Sequence, residues 1–166
     1  MQIKRIFSIF IMVLFLGLAF NLSIFSQSKT NHQRNILSTP IDPWTSSQVI
    51  SPEKLNNILT DKKSQKPVVL CVGFDFLYDQ GHIPGSIFAG PTSNKAGLEK
   101  LKSAVKSFKK NQSIVIYCGC CPFNHCPNVR PAFKALKEMG YKNIEVLYIP
   151  NDFERNWKDK GYTTTK

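Results

Sequence analysis

Two short apolar runs constrain what this chain can fold into more than any other feature. Val68-Val69-Leu70-Cys71-Val72 follows Pro67, and Ile114-Val115-Ile116-Tyr117 follows Ser113. Neither run is interrupted by a charged residue, and such continuous stretches suit strands covered on both faces. Between and beyond them the apolar spacing turns helical. Ser51-Pro52-Glu53 combines a capping hydroxyl, a proline for the first helical position and an acid for the positive end of the helix dipole. This predicts a helix to about Asp61 with Leu55, Ile58 and Leu59 inward. Leu98, Leu101, Val105 and Phe108 predict a second helix over 95–109. Ala132, Phe133, Leu136 and Met139 predict a third over 129–139, with Pro131 tolerated in its first turn and Gly140 past its end. Gly81 to Ser86 reads as a turn followed by a short strand at Ile87-Phe88, and Ile144 to Ile149 as a further strand. Asp152 to Lys158 reads as a closing helix that buries Phe153 and Trp157. Strands alternating with helices imply a parallel sheet covered on both faces, with ligands at the carboxyl ends of its strands.

The first 27 residues stand outside this pattern. Lys4 and Arg5 precede an apolar stretch from Ile6 to Phe20, and Asn21, Ser23, Ser26 and Gln27 restore polarity. That is the layout of a secretory signal peptide, with an uncleaved membrane anchor as the alternative. The expected organisation is therefore a signal peptide or anchor over 1–27, a linker over 28–48 and a domain over 49–166. The protein is expected to be exported, periplasmic or secreted, and to meet a membrane only if the N-terminal segment stays. Removing 1–27 takes away Lys4 and Arg5, so the net charge falls from +11 to +9. The remaining lysines are scattered rather than gathered into an aromatic-interleaved stripe. That argues against nucleic acid and for a diffuse field that favours small anions.

Four of the five cysteines lie within the nine residues from Cys118 to Cys126. Structural disulfides usually spread along a chain, because closing long loops constrains the unfolded state most. The clustering points to reactivity or metal binding instead. Cys118 ends a buried strand and precedes a loop and a helix. Loop N–H groups and the helix dipole are expected to lower its pKa and to stabilise a thiolate or persulfide there.

Residues 49–162 resemble a rhodanese-like domain. Ile50-Ser51-Pro52-Glu53 is similar to its opening helix. Gly81-His82-Ile83-Pro84-Gly85-Ser86 is similar to its Gly-His-Ile-Pro-Gly-Ala signature, and Ile114 to Cys118 to its catalytic strand and nucleophile. Met139 to Ile144 resembles the turn into its last strand. The resemblance implies a three-layer α/β sandwich with a central, mainly parallel sheet of about five strands. It also implies sulfur transfer through a persulfide on Cys118, from a small anionic donor such as thiosulfate to a thiol acceptor, with no cofactor. If the strand order follows the family, Cys71 lies beside Cys118. Three features depart from the pattern. Cys71-Val72-Gly73 stands where the family has Asp-Val-Arg. The loop from Gly119 to Asn128 is longer than usual, and Pro150 to Phe153 replaces a Gly-Gly-Trp turn.

Around Cys118, the loop residues Gly119, Cys120 and Cys121 are candidates for contact with substrate, and Arg130 for holding an anionic donor at the rim. Cys126 and Cys71 are candidate resolving thiols; a small core residue is the other reading of Cys71. His82 is expected to fix a turn rather than to act in catalysis. Two other readings stay open. Cys118-Gly119-Cys120-Cys121 contains the Cys-x-x-Cys spacing of thiol-disulfide proteins, which would exchange electrons with a redox partner protein. Cys120, Cys121, His125 and Cys126, together with Cys118, offer nitrogen and sulfur ligands for zinc or copper(I). A phosphatase is excluded, since no cysteine here is followed by five residues and an arginine.

Overall fold

The computed structural model describes residues 42–166. The signal peptide or anchor over 1–27, and the linker up to residue 41, lie outside the described residues. Among the described residues ten strands and α-helices follow in order: β1 (Val49–Ile50), α1 (Pro52–Thr60), β2 (Val68–Cys71), α2 (Asp75–Gln80), β3 (Ile87–Phe88), α3 (Lys95–Val105), β4 (Ile114–Tyr117), α4 (Val129–Glu138), β5 (Ile144–Leu147) and α5 (Phe153–Asn156). The five strands form one sheet in the order β1-β5-β4-β2-β3, and every pairing is parallel. The expected α/β architecture is therefore the observed one. The two apolar runs of the sequence, β2 and β4, lie side by side near its centre, with Leu70 opposite Ile116 and Cys71 opposite Tyr117.

Side chains alternate across a strand, so β4 feeds two separate cores. Ile114 and Ile116 pack with Leu101 and Val105 of α3 and Ala132, Phe133 and Leu136 of α4. Val115 and Tyr117 point the other way, into a layer with Leu55 of α1, Ile83 and Trp157. This alternation places Cys118, one residue on, with the α3–α4 layer. Local chemistry sets the helix starts. Ser51 Oγ accepts from the Lys54 N–H at 3.2 Å, Asn94 Oδ1 from Gly97 at 2.9 Å and Asp152 Oδ1 from Arg155 at 2.8 Å. Each satisfies an N–H that the first helical turn leaves unpaired.

The structure departs from expectation in four places. β1 and α2 had no signal, being two and six residues long, with no buried residue in α2 to create a periodicity. Helix α3 stops at Val105, and Phe108 continues the apolar face from a turn in which its N–H bonds Val105 O at 2.9 Å. The segment read as the end of a linker instead joins the domain, because Trp44 packs on Phe123 and Phe133 with ring centroids 5.6 and 5.5 Å away. Among the described residues no helix is long and apolar enough to cross a membrane.

Candidate functional site

Cys118 sits at the carboxyl end of β4, where a parallel sheet opens between two crossover connections. It is only 5% exposed. Two glycines make its position possible. A Cβ on Gly73 would lie 2.9 Å from Cys118 O and 3.0 Å from its Sγ. The residue that stands in place of an arginine therefore leaves room for the sulfur. Gly119 has φ +73°, and a Cβ there would meet the Phe153 Cβ at 2.7 Å. Its carbonyl accepts the Phe153 N–H at 3.1 Å. The loop thus leaves β4 by turning sharply against the start of α5, a course open to glycine alone at little cost.

After that turn the chain folds its cysteines back over Cys118. The Sγ atoms of Cys118, Cys120 and Cys126 all lie within 4.8 Å of one another. Cys118 and Cys120 are 3.2 Å apart, and Cys121 Sγ is 2.8 Å from Cys120. All five cysteines are free thiols. A short 3-10 turn, Phe123–His125, carries the chain across, and Phe123 is buried beneath Trp44 and Tyr148. Of the candidate metal ligands, Cys118, Cys120 and Cys126 converge, while His125 is exposed and lies, with Cys121, outside that group.

Arg130 takes a different task from the one its sequence position suggests. Its guanidinium pairs with Asp42 at 2.6 Å and donates to the carbonyls of Cys126 (3.3 Å) and Phe123 (3.5 Å), over the Trp44 ring. It clamps the loop from behind and does not face the cavity beside Cys118. Hydrogen bonds from a charged donor of this kind contribute about 1.5–3 kcal/mol. Arg130→Ala is expected to lower stability by about 2 kcal/mol, read as a lower urea midpoint at unchanged slope.

Asn128 is the functional residue that sequence reasoning passed over. It is fully buried. Its Oδ1 accepts the Ser93 N–H at 2.9 Å, and its own carbonyl accepts from Thr92 Oγ1 at 2.6 Å. Those bonds fix which way the amide points, so Nδ2 faces Cys118 and donates to its sulfur at 3.3 Å. The available signal was its place directly before the first residue of α4.

The electrostatics reverse one expectation. The thiol at the helix N-terminus is Cys126, not Cys118. The thiols of Cys118 and Cys120 offer their hydrogens to the Cys126 sulfur, and the N–H groups of Asn128 and Val129 point at it, so its pKa falls to about 3 despite burial. Cys118 is pushed well above the ordinary thiol range, because its hydrogen is shared with Cys120 and Cys126 and because it is buried. Cys120 is also raised. The hydrogen it receives from Cys118 pulls its pKa down, but donation to Cys126 and burial outweigh that. Close thiols cannot all ionise together, so the cluster holds one negative charge first, at Cys126.

A cavity of about 250 Å³ opens beside Cys118, with Cys71, Tyr117, Cys120, Phe153 and Lys158 in its walls. Cys126 is not among its lining residues. Cys71 belongs to the opposite core layer with Tyr117, and burial pushes its thiol up to about 11. His82 fixes a turn: its Nδ1 bonds Tyr78 O at 2.9 Å, its ring stacks on Tyr78 at 3.6 Å, and its backbone pairs with Thr165.

The model of the rhodanese-like domain family matches residues 51–154. No curated protein matches the chain. Among solved structures, it is similar to the rhodanese-like domain of the Alr3790 protein from Anabaena sp. in solution, with a TM-score of 0.53 and 19% identity over 71% of this chain and 78% of that one. A crystal structure of the Alr3790 protein is similar with a TM-score of 0.54 and 20% identity over 70% of this chain and 81% of that one. At such identities the likeness speaks for the fold.

Proposed function

The chain belongs to the rhodanese-like domain family, and from that premise we propose that it is a sulfurtransferase that carries sulfane sulfur as a persulfide on Cys118. The observation that carries this reading is the position of Cys118. It ends a central strand, lines the cavity and receives the Asn128 amide on its sulfur. A thiol raised in pKa is a poor nucleophile until deprotonated, and that amide offsets part of the cost by favouring negative charge on the sulfur.

The Cys118 sulfur attacks the outer sulfur of a donor such as thiosulfate. A Cys118–sulfur bond forms, the sulfur–sulfur bond of the donor breaks, and sulfite leaves with the electron pair and the Cys118 proton. The Asn128 amide, aimed at Cys118 Sγ, stabilises charge on that sulfur. An acceptor thiol then attacks the outer sulfur of the persulfide, that sulfur leaves with the acceptor, and Cys118 recovers the proton that the thiol gives up. The acceptor is a small thiol or a thiol of a partner protein that reaches the cavity mouth.

Intact mass after incubation with thiosulfate tests this. Sampled directly after loading, before any sulfur is discharged, the wild type is expected to carry the mass of one additional sulfur atom, removable by reductant, and Cys118→Ser none. Undiminished loading of Cys118→Ser sinks the assignment.

A further inference from the structure

Resting on the reading of Cys118 as the loaded thiol, we propose that Cys120 discharges the persulfide as hydrogen sulfide, closing a Cys118–Cys120 disulfide that an external dithiol then reduces. The geometry points to Cys120 rather than to any other thiol. Its sulfur is 3.2 Å from Cys118 Sγ. A disulfide bond is about 2.05 Å long, so the two atoms need close only about 1.2 Å. Gly119 alone separates the two residues, and its left-handed turn brings both sulfurs to the wall of one cavity. Cys126 lies outside that wall and is committed to the N–H groups of Asn128 and Val129. Cys71 belongs to the other core layer.

Proximity decides the fate of the sulfur. An acceptor from solution competes with a thiol already beside the persulfide. An effective molarity of even roughly 1 M, far under the order of 10⁵ M reached by well-aligned groups, outcompetes a millimolar external thiol about a thousandfold. The hydrosulfide leaving group also favours this route, since a more acidic thiol leaves faster.

In this step the Cys120 sulfur attacks the inner sulfur of the persulfide. The Cys118–Cys120 bond forms, and the bond from Cys118 to the sulfane sulfur breaks. Hydrosulfide departs with the electron pair and the Cys120 proton. The two cysteine sulfurs are oxidised and the sulfane sulfur is reduced by the same two electrons. An external dithiol returns those electrons by exchange and becomes a disulfide itself. Cys121, 2.8 Å from Cys120 and less buried than Cys118, is where such a reductant meets the disulfide.

The test loads the reduced full-length protein with thiosulfate, removes excess donor and withholds reductant. Sulfide is followed with an electrode and the protein by intact mass and peptide mapping. The wild type is expected to release one equivalent of sulfide and end two hydrogens lighter than the reduced protein, with Cys118 joined to Cys120. Cys120→Ser and Cys120→Ala are expected to hold the persulfide at least about tenfold longer. Equal lifetimes in wild type and both variants overturn the proposal while leaving Cys118 as the loaded thiol. A map that joins Cys118 to Cys126 or Cys71 overturns the choice of Cys120. Failure of all three proteins to take up sulfur overturns the proposal and the reading of Cys118 together.

Discussion

Cys126→Ser is expected to speed the loading of Cys118 by thiosulfate about tenfold at neutral pH, the effect of bringing a thiol pKa down by about one unit. A serine hydroxyl fits the same space and keeps the backbone N–H groups of Asn128 and Val129 in use. It does not hold an anion at pH 7, so Cys118 ionises without a like charge beside it. A second readout separates this role from simple damage. Thiolate absorbance near neutral pH should report one thiolate in the reduced wild type, lost only as pH approaches about 3, and none in the variant. Stability follows with a definite sign. A thiol whose folded pKa lies near 3 and whose ordinary value is 9.0 contributes stability that is complete above the ordinary value and is lost as pH falls toward the folded one. Thermal midpoints of the reduced wild type should therefore rise from pH 4 to pH 8, and those of Cys126→Ser should rise less. Loading of Cys126→Ser at or below the wild-type rate would show that the Cys126 anion does not hold Cys118 back.

Trp157→Ala is expected to cost about 4 kcal/mol, in the range for emptying a buried aromatic site. Trp157 is 1% exposed, stacks on Phe153 at 6.0 Å, meets Tyr162 edge-on at 5.1 Å and donates from Nε1 to Thr163 O at 3.0 Å. It holds down both the helix that forms one wall of the cavity and the tail that pairs with His82. The loss should appear as a fall in thermal midpoint of roughly 10 °C or more. Sulfur loading should weaken with it, because Phe153 shapes the turn at Gly119. A variant within about 1 kcal/mol of wild type would mean that the site collapses around the lost ring.

These two residues differ in how far the sequence revealed them. Trp157 was legible as a buried residue of a closing helix, because apolar spacing reports burial directly. The central strands were equally legible, being continuous apolar runs, and so were α1 and α4, whose caps and periodicity agree. β1 and α2 were not: an element of two or six residues with no buried stripe carries no period to read. Cys118 was legible as the end of a buried strand, but the place of the charge was not. That depended on which sulfur the loop's ten residues deliver to the start of α4, and a loop's path is set by tertiary contacts. Trp44 on Phe123, Asp42 on Arg130 and Ser93 on Asn128 decide it, and all three join residues far apart in sequence. Arg130 shows the same limit, since its side chain runs behind the loop rather than toward the cavity.

The inward course of Arg130 has a consequence for how the cluster behaves in different media. Its positive charge is already matched by Asp42, so the anion at Cys126 is balanced by peptide N–H and thiol hydrogens beside it rather than by a mobile or distant cation. Such balance acts over a few ångströms, inside the roughly 8–10 Å over which dissolved salt screens a charge at moderate ionic strength. The sulfur cluster therefore carries its own dielectric surroundings with it. Its acidity is set by the fold and is insulated from the saltiness of the compartment in which the protein works.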